Sequence, residues 1–203
     1  MFANTAHPDL APFALVRTFA LLRFVTACRP VPCSPVPIKI PLAPNQIAAA
    51  WRIADDRTKK YGSEFSFNLS GALGEVAVSA WAVTVAKAQP IDEAYPDLAR
   101  DYGADIFLGP SKYGVDVKTC GVGEPFMYKE SQVGDLAEKN VQAVLWASER
   151  SVSNSYGPPS ESEVEILGWS SATDITDSPP AKPGEVARRV LTVRPLADLI
   201  ALL

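Results

Sequence analysis

The stretch YGADIFLGPSKYGVDVKTC, residues 102–120, decides the fold because it predicts a β-hairpin. Both of its halves are rich in β-branched, aromatic and apolar residues, and the GPSK segment between them, residues 109–112, has the composition of a turn. A four-residue loop at GPSK places Leu108 opposite Tyr113, and the same register then puts Asp105 directly opposite Asp116. The stretch therefore predicts two neighbouring strands that hold two aspartates face to face.

The alternation of side chains along a strand gives this hairpin a polar face and an apolar face. Lys118 shares the face of Asp116, whereas Ile106, Val115 and Val117 fall on the other face, which suits a core. Two opposed carboxylates repel each other unless a cation lies between them, and hard divalent cations prefer carboxylate oxygens. The pattern therefore favours a metal site, although an edge hairpin with polar outer residues neutralised by Lys118 gives the same pattern.

Composition limits the classes of function. The chain has 203 residues, 47% hydrophobic and 21% charged residues, and a net charge of −4, which is ordinary for one globular domain with or without an extension. Any surface that binds nucleic acid must therefore be a local patch. Basic residues cluster in two places, at Arg52, Arg57, Lys59 and Lys60 and at Arg188, Arg189 and Arg194. Each cluster is explained equally well as an ordinary charged surface that faces solvent.

Cysteine and histidine usage argues against several kinds of site. The three cysteines, Cys28, Cys33 and Cys120, contain no CxxC pair, which argues against a disulfide framework and a four-cysteine metal site. We expect Cys120 to be a small buried thiol and the protein to be cytoplasmic, where thiols stay reduced. The single histidine, His7, makes histidine-based catalysis improbable.

The most apolar stretch, residues 11–28, contains Arg17 and Arg23 and is therefore a poor membrane span or signal peptide. It is either an amphipathic helix or an extension produced by an upstream start codon. We expect no membrane partner.

Residues 29–44 contain six prolines, a density that forbids regular helix and predicts an extended linker. We therefore divide the chain into an N-terminal extension, residues 1–44, and one domain, residues 45–203.

Two helices are predicted ahead of the hairpin. Asn45 can cap a helix over about residues 46–60, and Ser70 can cap a second over about residues 71–88. The pattern of residues 63–68 between them indicates a short strand or a loop. Glu75 is the only acid on the otherwise apolar second helix. One explanation of its presence is that it faces solvent in the first turn, where the helix dipole favours an acid.

The remaining pattern predicts strands after the hairpin. VQAVLWA at residues 141–147 and EVEILGW at residues 163–169 predict a second hairpin with a long loop that includes a turn at residues 157–160. A short strand at residues 190–193 and a terminal helix at residues 195–203 complete the chain. The order predicts an α/β (α+β) fold with a mixed sheet of four or five strands flanked by helices.

The arrangement of Glu75, Asp105, Asp116 and Lys118 resembles the PD-(D/E)xK nuclease superfamily, in particular its small stand-alone phage and bacterial members. In that family an aspartate on one strand precedes a D/E-x-K triplet on the next, and many members add a helix glutamate in a G-x-x-G-E-x-A stretch like GALGEVA at residues 71–77. The resemblance covers roughly residues 46–200. Ala104 replaces the proline of the family name.

The resemblance implies a restriction-endonuclease-like core and a Mg²⁺ site, in which Mn²⁺ can substitute. Asp105, Asp116, the backbone carbonyl of Val117 and Glu75 would hold the metal, and Lys118 would orient or help deprotonate the attacking water. The implied function is a metal-dependent nuclease or endonuclease that acts on DNA rather than RNA, compatible with a homodimer.

A second class of function remains open. A catalytically inactive nuclease-like module of phage or mobile-element origin, which binds nucleic acid or protein, fits the acidic net charge and the lack of an obvious basic stripe. The chain has no G-x-x-x-x-G-K-[ST] phosphate loop and no G-x-S-x-G motif, which argues against a built-in ATPase and against acyl transfer.

Overall fold

The structure is a computed structural model that describes residues 36–85, 104–109, 113–154, 157–181 and 187–203. All of these residues fall within one unit, which spans residues 33–203. The predicted helix at residues 11–28, residues 29–35 of the predicted linker, and residues 110–112 of the predicted turn lie outside the described residues.

Seven strands and six helices are described. In chain order they are β1 (Ile38–Pro41), α1 (Pro44–Tyr61), α2 (Phe65–Val85), β2 (Ile106–Leu108), β3 (Tyr113–Cys120), β4 (Met127–Lys129), α3 (Glu130–Val133), α4 (Asp135–Glu138), β5 (Ala143–Asn154), β6 (Gly157–Ser171), α5 (Ala172–Thr176), β7 (Ala187–Arg189) and α6 (Leu196–Ile200).

Five of the strands form one mixed sheet in the order β1-β6-β5-β3-β2. Strands β3 and β5 run parallel, and the other neighbours run antiparallel. A parallel pair needs a long crossover connection, and here that connection contains β4, α3 and α4. Helices flank the sheet, so the predicted α/β class with a mixed five-stranded sheet is confirmed. Strands β4 and β7 form a separate two-stranded sheet.

The proline-rich segment contributes to this sheet. Residues 38–41, which the sequence places in a linker, form edge strand β1, where Lys39 lies opposite Glu165 of β6. An edge strand tolerates prolines because one side of its backbone makes no ladder hydrogen bonds, and Pro41 stands at its end. The folded part of the chain therefore begins before the predicted boundary at residue 45.

Both helices of the first half start earlier than predicted. Helix α1 begins at Pro44, and the side chain of Gln46, rather than Asn45, accepts the backbone N–H of Ala43 at 2.8 Å. Helix α2 begins at Phe65, so the predicted strand or loop at residues 63–68 is largely helical and Ser70 lies inside the helix. The first turn of α2 contacts α1, where the ring centres of Phe65 and Trp51 lie 4.6 Å apart, and such tertiary contacts outweigh the local capping preference of Ser70.

The second predicted hairpin is real, but its loop is short. Strands β5 and β6 pair as far as Asn154 and Gly157, so the predicted turn at residues 157–160 is strand. The last strand, β7, precedes the predicted residues 190–193, and α6 confirms the terminal helix.

The sheet separates two apolar clusters. Helices α1, α2 and α6 cover one face, which includes Val115 and Val117 of β3. Val144 and Trp146 of β5 point to the opposite face, where they pack with Tyr128 of β4. The apolar face predicted for the hairpin is confirmed, since Val115 and Val117 are buried. Asp116 and Lys118 alternate with these valines and therefore face the side of β4.

Helix α2 lies so close to β3 that its surface is buried almost all round, including every residue from 72 to 79. Such continuous burial is typical of a core helix rather than an amphipathic surface helix. The closest approach is at Gly74, where a Cβ atom would overlap Oγ1 of Thr119 on β3. A side chain at this position would force Thr119 or the helix to move, so glycine suits this close contact.

We expect Gly74→Ala to lower the free energy of unfolding by roughly 1–3 kcal/mol, since overpacking outweighs the gain of about 1 kcal/mol in helix propensity. Gly71→Ala is the matched control, because it lies in the same helix with open space around it, and it should be neutral or stabilising. Urea unfolding of both variants measures the difference. Equal effects of the two substitutions would show that the helix can move away from the strand.

Candidate functional site

Strand β2 begins opposite Val115 of β3, and the candidate site lies next to that point. The observed register pairs Leu108 with Tyr113 and Ile106 with Val115, which confirms the predicted four-residue loop. Asp105 immediately precedes β2, so the same register continues to Asp116. The sequence predicted this pairing because the turn composition and the alternation of side chains agreed.

The two aspartates lie next to each other, as the predicted register requires. Oδ2 of Asp105 accepts the backbone N–H of Val117 at 2.8 Å. Burial raises the pKa of Asp105 well above its usual range, and the negative charges of Glu75 and Asp116 raise it further. Asp105 therefore holds its proton more strongly than Asp116 does.

Asp116 is the ionised member of the pair. Burial opposes its ionisation, but the positive charge of Lys118 and the hydrogen bonds from Asp105, Lys118 and Tyr128 lower its pKa below the usual value. Nζ of Lys118 lies 2.8 Å from Oδ2 of Asp116. Adjacent residues of one polar face thus form an ion pair, as the D-x-K spacing predicts.

Lys118 is a protonated ammonium in this arrangement. Burial lowers its pKa, but the charges of Asp116 and Asp105 more than offset that effect and the net shift is upward. A protonated Lys118 can orient a water and offset negative charge.

Tyr128 is a site residue that the sequence analysis missed. Its hydroxyl donates to Oδ2 of Asp116 at 2.9 Å, and Nζ of Lys118 lies 5.3 Å from the centre of its ring. Burial and the nearby negative charge of Asp116 raise the pKa of Tyr128. The alternating aromatic residues Phe126 and Tyr128 were the available signal of a short strand.

Glu75 reaches the site from α2 and is buried, which excludes the solvent-facing explanation. Both of its oxygens accept hydrogen bonds from Arg57 of α1, each at 2.8 Å. Arg57 is half-buried and therefore does not belong to a solvated basic face. The helix and strand residues form one charged group, since the negative charge of Glu75 acts on both Asp105 and Lys118.

The donor atoms suit a hard cation in part. Val117 donates its N–H to Asp105 on the β2 side of β3, and the carbonyl of a strand residue points to the same side as its N–H. Two opposed carboxylates and a backbone carbonyl thus lie at one edge, an oxygen set that fits Mg²⁺ completed by water. Among the described residues, however, no three His, Cys, Asp or Glu side chains are placed to hold a metal together. The predicted third ligand, Glu75, is bound to Arg57.

Three lysines near the hairpin have different surroundings. Lys139 pairs with Asp135 at 3.5 Å, and Lys129 is exposed, whereas Lys112 lies outside the described residues. In the second basic cluster Arg188 donates hydrogen bonds from two nitrogens to Glu130.

Arg194 binds Asp174 through two nitrogens, at 2.8 and 3.0 Å. Because Arg188 and Arg194 are both neutralised by carboxylates, the cluster at residues 188–194 does not present a strong basic patch. Cys120 is partly buried, its thiol donates to the carbonyl of Ala147 at 3.3 Å, and burial raises the pKa of the thiol.

Comparison with protein-family models, curated proteins and solved structures gives no match to this chain. In the part of the chain that the structure describes, no helix is long and apolar enough to cross a membrane.

We expect Asp105→Asn to raise the free energy of unfolding by roughly 1–2 kcal/mol at pH 7 without divalent cations. The amide oxygen can still accept from Val117 and its nitrogen can donate to Asp116, so the substitution removes mainly the free-energy cost of keeping Asp105 protonated at pH 7. Urea unfolding with EDTA present measures the gain. Asp55→Asn on the exposed side of α1 is the control and should change stability by less than about 0.5 kcal/mol.

The gain in stability from Asp105→Asn should increase as the pH rises. The folded protein holds the Asp105 proton more tightly than the unfolded chain does, so the native protein loses stability as the pH rises above about 3.9, the pKa of a free aspartate. The advantage of Asp105→Asn should therefore be smaller at pH 4.5 than at pH 7. A gain that is the same at both pH values would contradict the pKa shift.

Proposed function

We propose that this chain is a metal-dependent nuclease that hydrolyses phosphodiester bonds in DNA. The observation that carries the proposal is the pair of opposed carboxylates, Asp105 and Asp116, with the ammonium of Lys118 bound to the second of them at 2.8 Å. A buried carboxylate pair that holds a proton for lack of positive charge is a site that a cation can stabilise.

The residues supply what phosphodiester hydrolysis needs. The reaction places additional negative charge on the phosphorus centre, and a bound Mg²⁺ supplies Lewis acidity to a phosphate oxygen and lowers the pKa of water. Asp105, Asp116 and the Val117 carbonyl would hold that ion. Lys118 donates hydrogen bonds, so it would orient the attacking water and offset the developing charge. Tyr128 holds Asp116 and Lys118 in place through its hydroxyl and its ring.

A non-catalytic nuclease-like module is the second candidate. It is favoured by one observation, namely that the third predicted ligand, Glu75, is bound to Arg57, so three carboxylates do not converge among the described residues. Such a module would bind nucleic acid or protein without turnover. A cytoplasmic location and a homodimer remain part of the first proposal and are compatible with the second.

Cleavage assays separate the two candidates. Linear, supercoiled and branched DNA are incubated with the full chain and Mg²⁺ or Mn²⁺, and EDTA should abolish cleavage. Asp116→Asn and Lys118→Met should each reduce the rate by roughly 100-fold or more, because each removes a group that stabilises charge in the transition state.

Two matched control variants test whether a loss of cleavage is specific to the proposed site. Asp55→Asn and Lys39→Met make the same chemical changes at exposed ion pairs in α1 and β1 and should leave the rate unchanged. Cleavage by Asp116→Asn or Lys118→Met at the parent rate would refute the nuclease assignment. DNA binding by the parent without any cleavage would favour the non-catalytic module.

A further inference from the structure

The short sheet formed by β4 and β7 has an inner face toward the candidate site and an outer face away from it. Its register contains three opposed pairs: Tyr128 with Arg188, Met127 with Arg189, and Lys129 with Ala187. Directly opposed residues of antiparallel strands share a face, and neighbours along a strand alternate between faces. Tyr128 is buried and its hydroxyl donates to Asp116, so Tyr128 marks the inner face. Lys129 and Arg189 therefore both belong to the outer face.

Arg188, the cation of the inner face, is bound within the protein. Two of its nitrogens donate to the carboxylate of Glu130, at 2.6 and 2.7 Å. A third nitrogen donates to the backbone carbonyls of Thr176 and Ser178. Hydrogen bonds to a carboxylate and to two carbonyls anchor β7 against the rest of the domain, and they leave Arg188 unavailable to a partner molecule.

The two cations of the outer face share it with uncharged residues. Lys129 and Arg189 are both exposed, and in the part of the chain that the structure describes neither side chain makes an ion pair. Their neighbours on this face of β4 and β7 are Met127 and Ala187. The outer face therefore presents two positive charges without a negative one, although the whole chain has a net charge of −4. Such a local patch is what an acidic protein needs to bind a polyanion.

The register also sets the spacing of the two charges. Lys129 lies opposite Ala187 and Arg189 lies opposite Met127, so the two cations are diagonal neighbours with Cβ atoms roughly 7–8 Å apart. Two long side chains at such positions can each bind a separate anionic group of one extended ligand. A nucleic-acid strand presents a row of singly charged phosphates, and lysine and arginine are the usual residues that contact them.

We propose that the outer face of β4 and β7 is a phosphate-contact surface, where Lys129 and Arg189 bind two phosphates of a nucleic-acid backbone beside the candidate site. The position favours a nucleic acid over other polyanions, because Tyr128, next to Lys129 in β4, contacts the ion pair that is proposed to act on a phosphodiester. The identity of the partner rests on the proposed function, but the contact itself needs no bound cation. Phosphate contacts carry no sequence information, so this surface adds affinity rather than specificity.

Binding to a labelled DNA duplex, measured by fluorescence anisotropy on the full chain, tests the contribution of the two cations. EDTA keeps the duplex intact, and the salt concentration is varied from about 50 to about 200 mM. The double variant with Lys129→Met and Arg189→Met should bind DNA roughly tenfold more weakly than the parent at the lower salt concentration. The slope of log affinity against log salt should become shallower by about 1–2, because up to two phosphate contacts are lost.

The double variant with Arg52→Met and Lys60→Met is the matched control. It removes the same two residue types from exposed positions of α1, which packs on the other face of the main sheet. Its affinity for DNA should fall by less than about twofold, because salt screens exposed charges that contact no phosphate. In cleavage assays Lys129→Met and Arg189→Met together should raise KM and leave kcat unchanged, since contacts to phosphates outside the reacting group are equal in the ground and transition states.

A loss of affinity no larger than that of the control variant, or an unchanged salt slope, would overturn the phosphate-contact surface. The nuclease function would then still stand if the parent cleaves DNA and Asp116→Asn does not. Conversely, a parent that binds DNA through Lys129 and Arg189 without cleaving it would refute the nuclease function and support this surface. A parent that binds vesicles of phosphatidylcholine and phosphatidylserine but no DNA would identify a lipid surface as the partner and contradict the assignment to nucleic acid.

Discussion

The pairing of β2 with β3 is the constraint on which the site depends. Because the two strands are joined by a four-residue loop, their register brings Asp105 against Asp116, and the two backbones cannot separate without breaking the ladder. The hydrogen bond from the Val117 N–H fixes Asp105 further. The fold thus holds two acids together at an electrostatic cost, and the raised pKa of Asp105 expresses that cost.

The rest of the domain supports this arrangement from both faces of the sheet. Helix α2 lies directly on β3 because Gly74 presents no side chain to Thr119, and this close contact brings Glu75 next to the strand. On the other face Tyr128 of β4 holds Asp116 and Lys118 from the second apolar cluster. Side chains that are fixed by packing on both sides keep a site in its working geometry more strictly than surface side chains can.

The two cations of the site, Lys118 and Arg57, differ in what holds them against their carboxylate partners. Lys118 belongs to the same strand as Asp116, so their contact follows from the alternation of β3 and persists as long as the strand does. Arg57 comes from a different helix and meets Glu75 only because α1 packs on α2. A partner supplied by tertiary packing depends on how the two helices are held against each other.

Sequence alone determined the parts of this protein that depend on short-range geometry. The hairpin register, the shared face of Asp116 and Lys118 and the buried face of Val115 and Val117 follow from turn composition and the two-residue period of a strand. The mixed α/β class follows from the order of apolar segments. These properties depend on residues that are close together in the sequence, so few alternative local structures are possible.

Only the tertiary structure decided which distant residues meet. That β1 belongs to the sheet, that α2 begins at Phe65 and that Tyr128 reaches Asp116 depend on packing between segments far apart in the chain. The same is true of Arg57, whose basic neighbours in the sequence suggested a solvated face. Its pairing with Glu75 required two helices to bury their charges against each other, and burial of that kind has no local signature in the sequence.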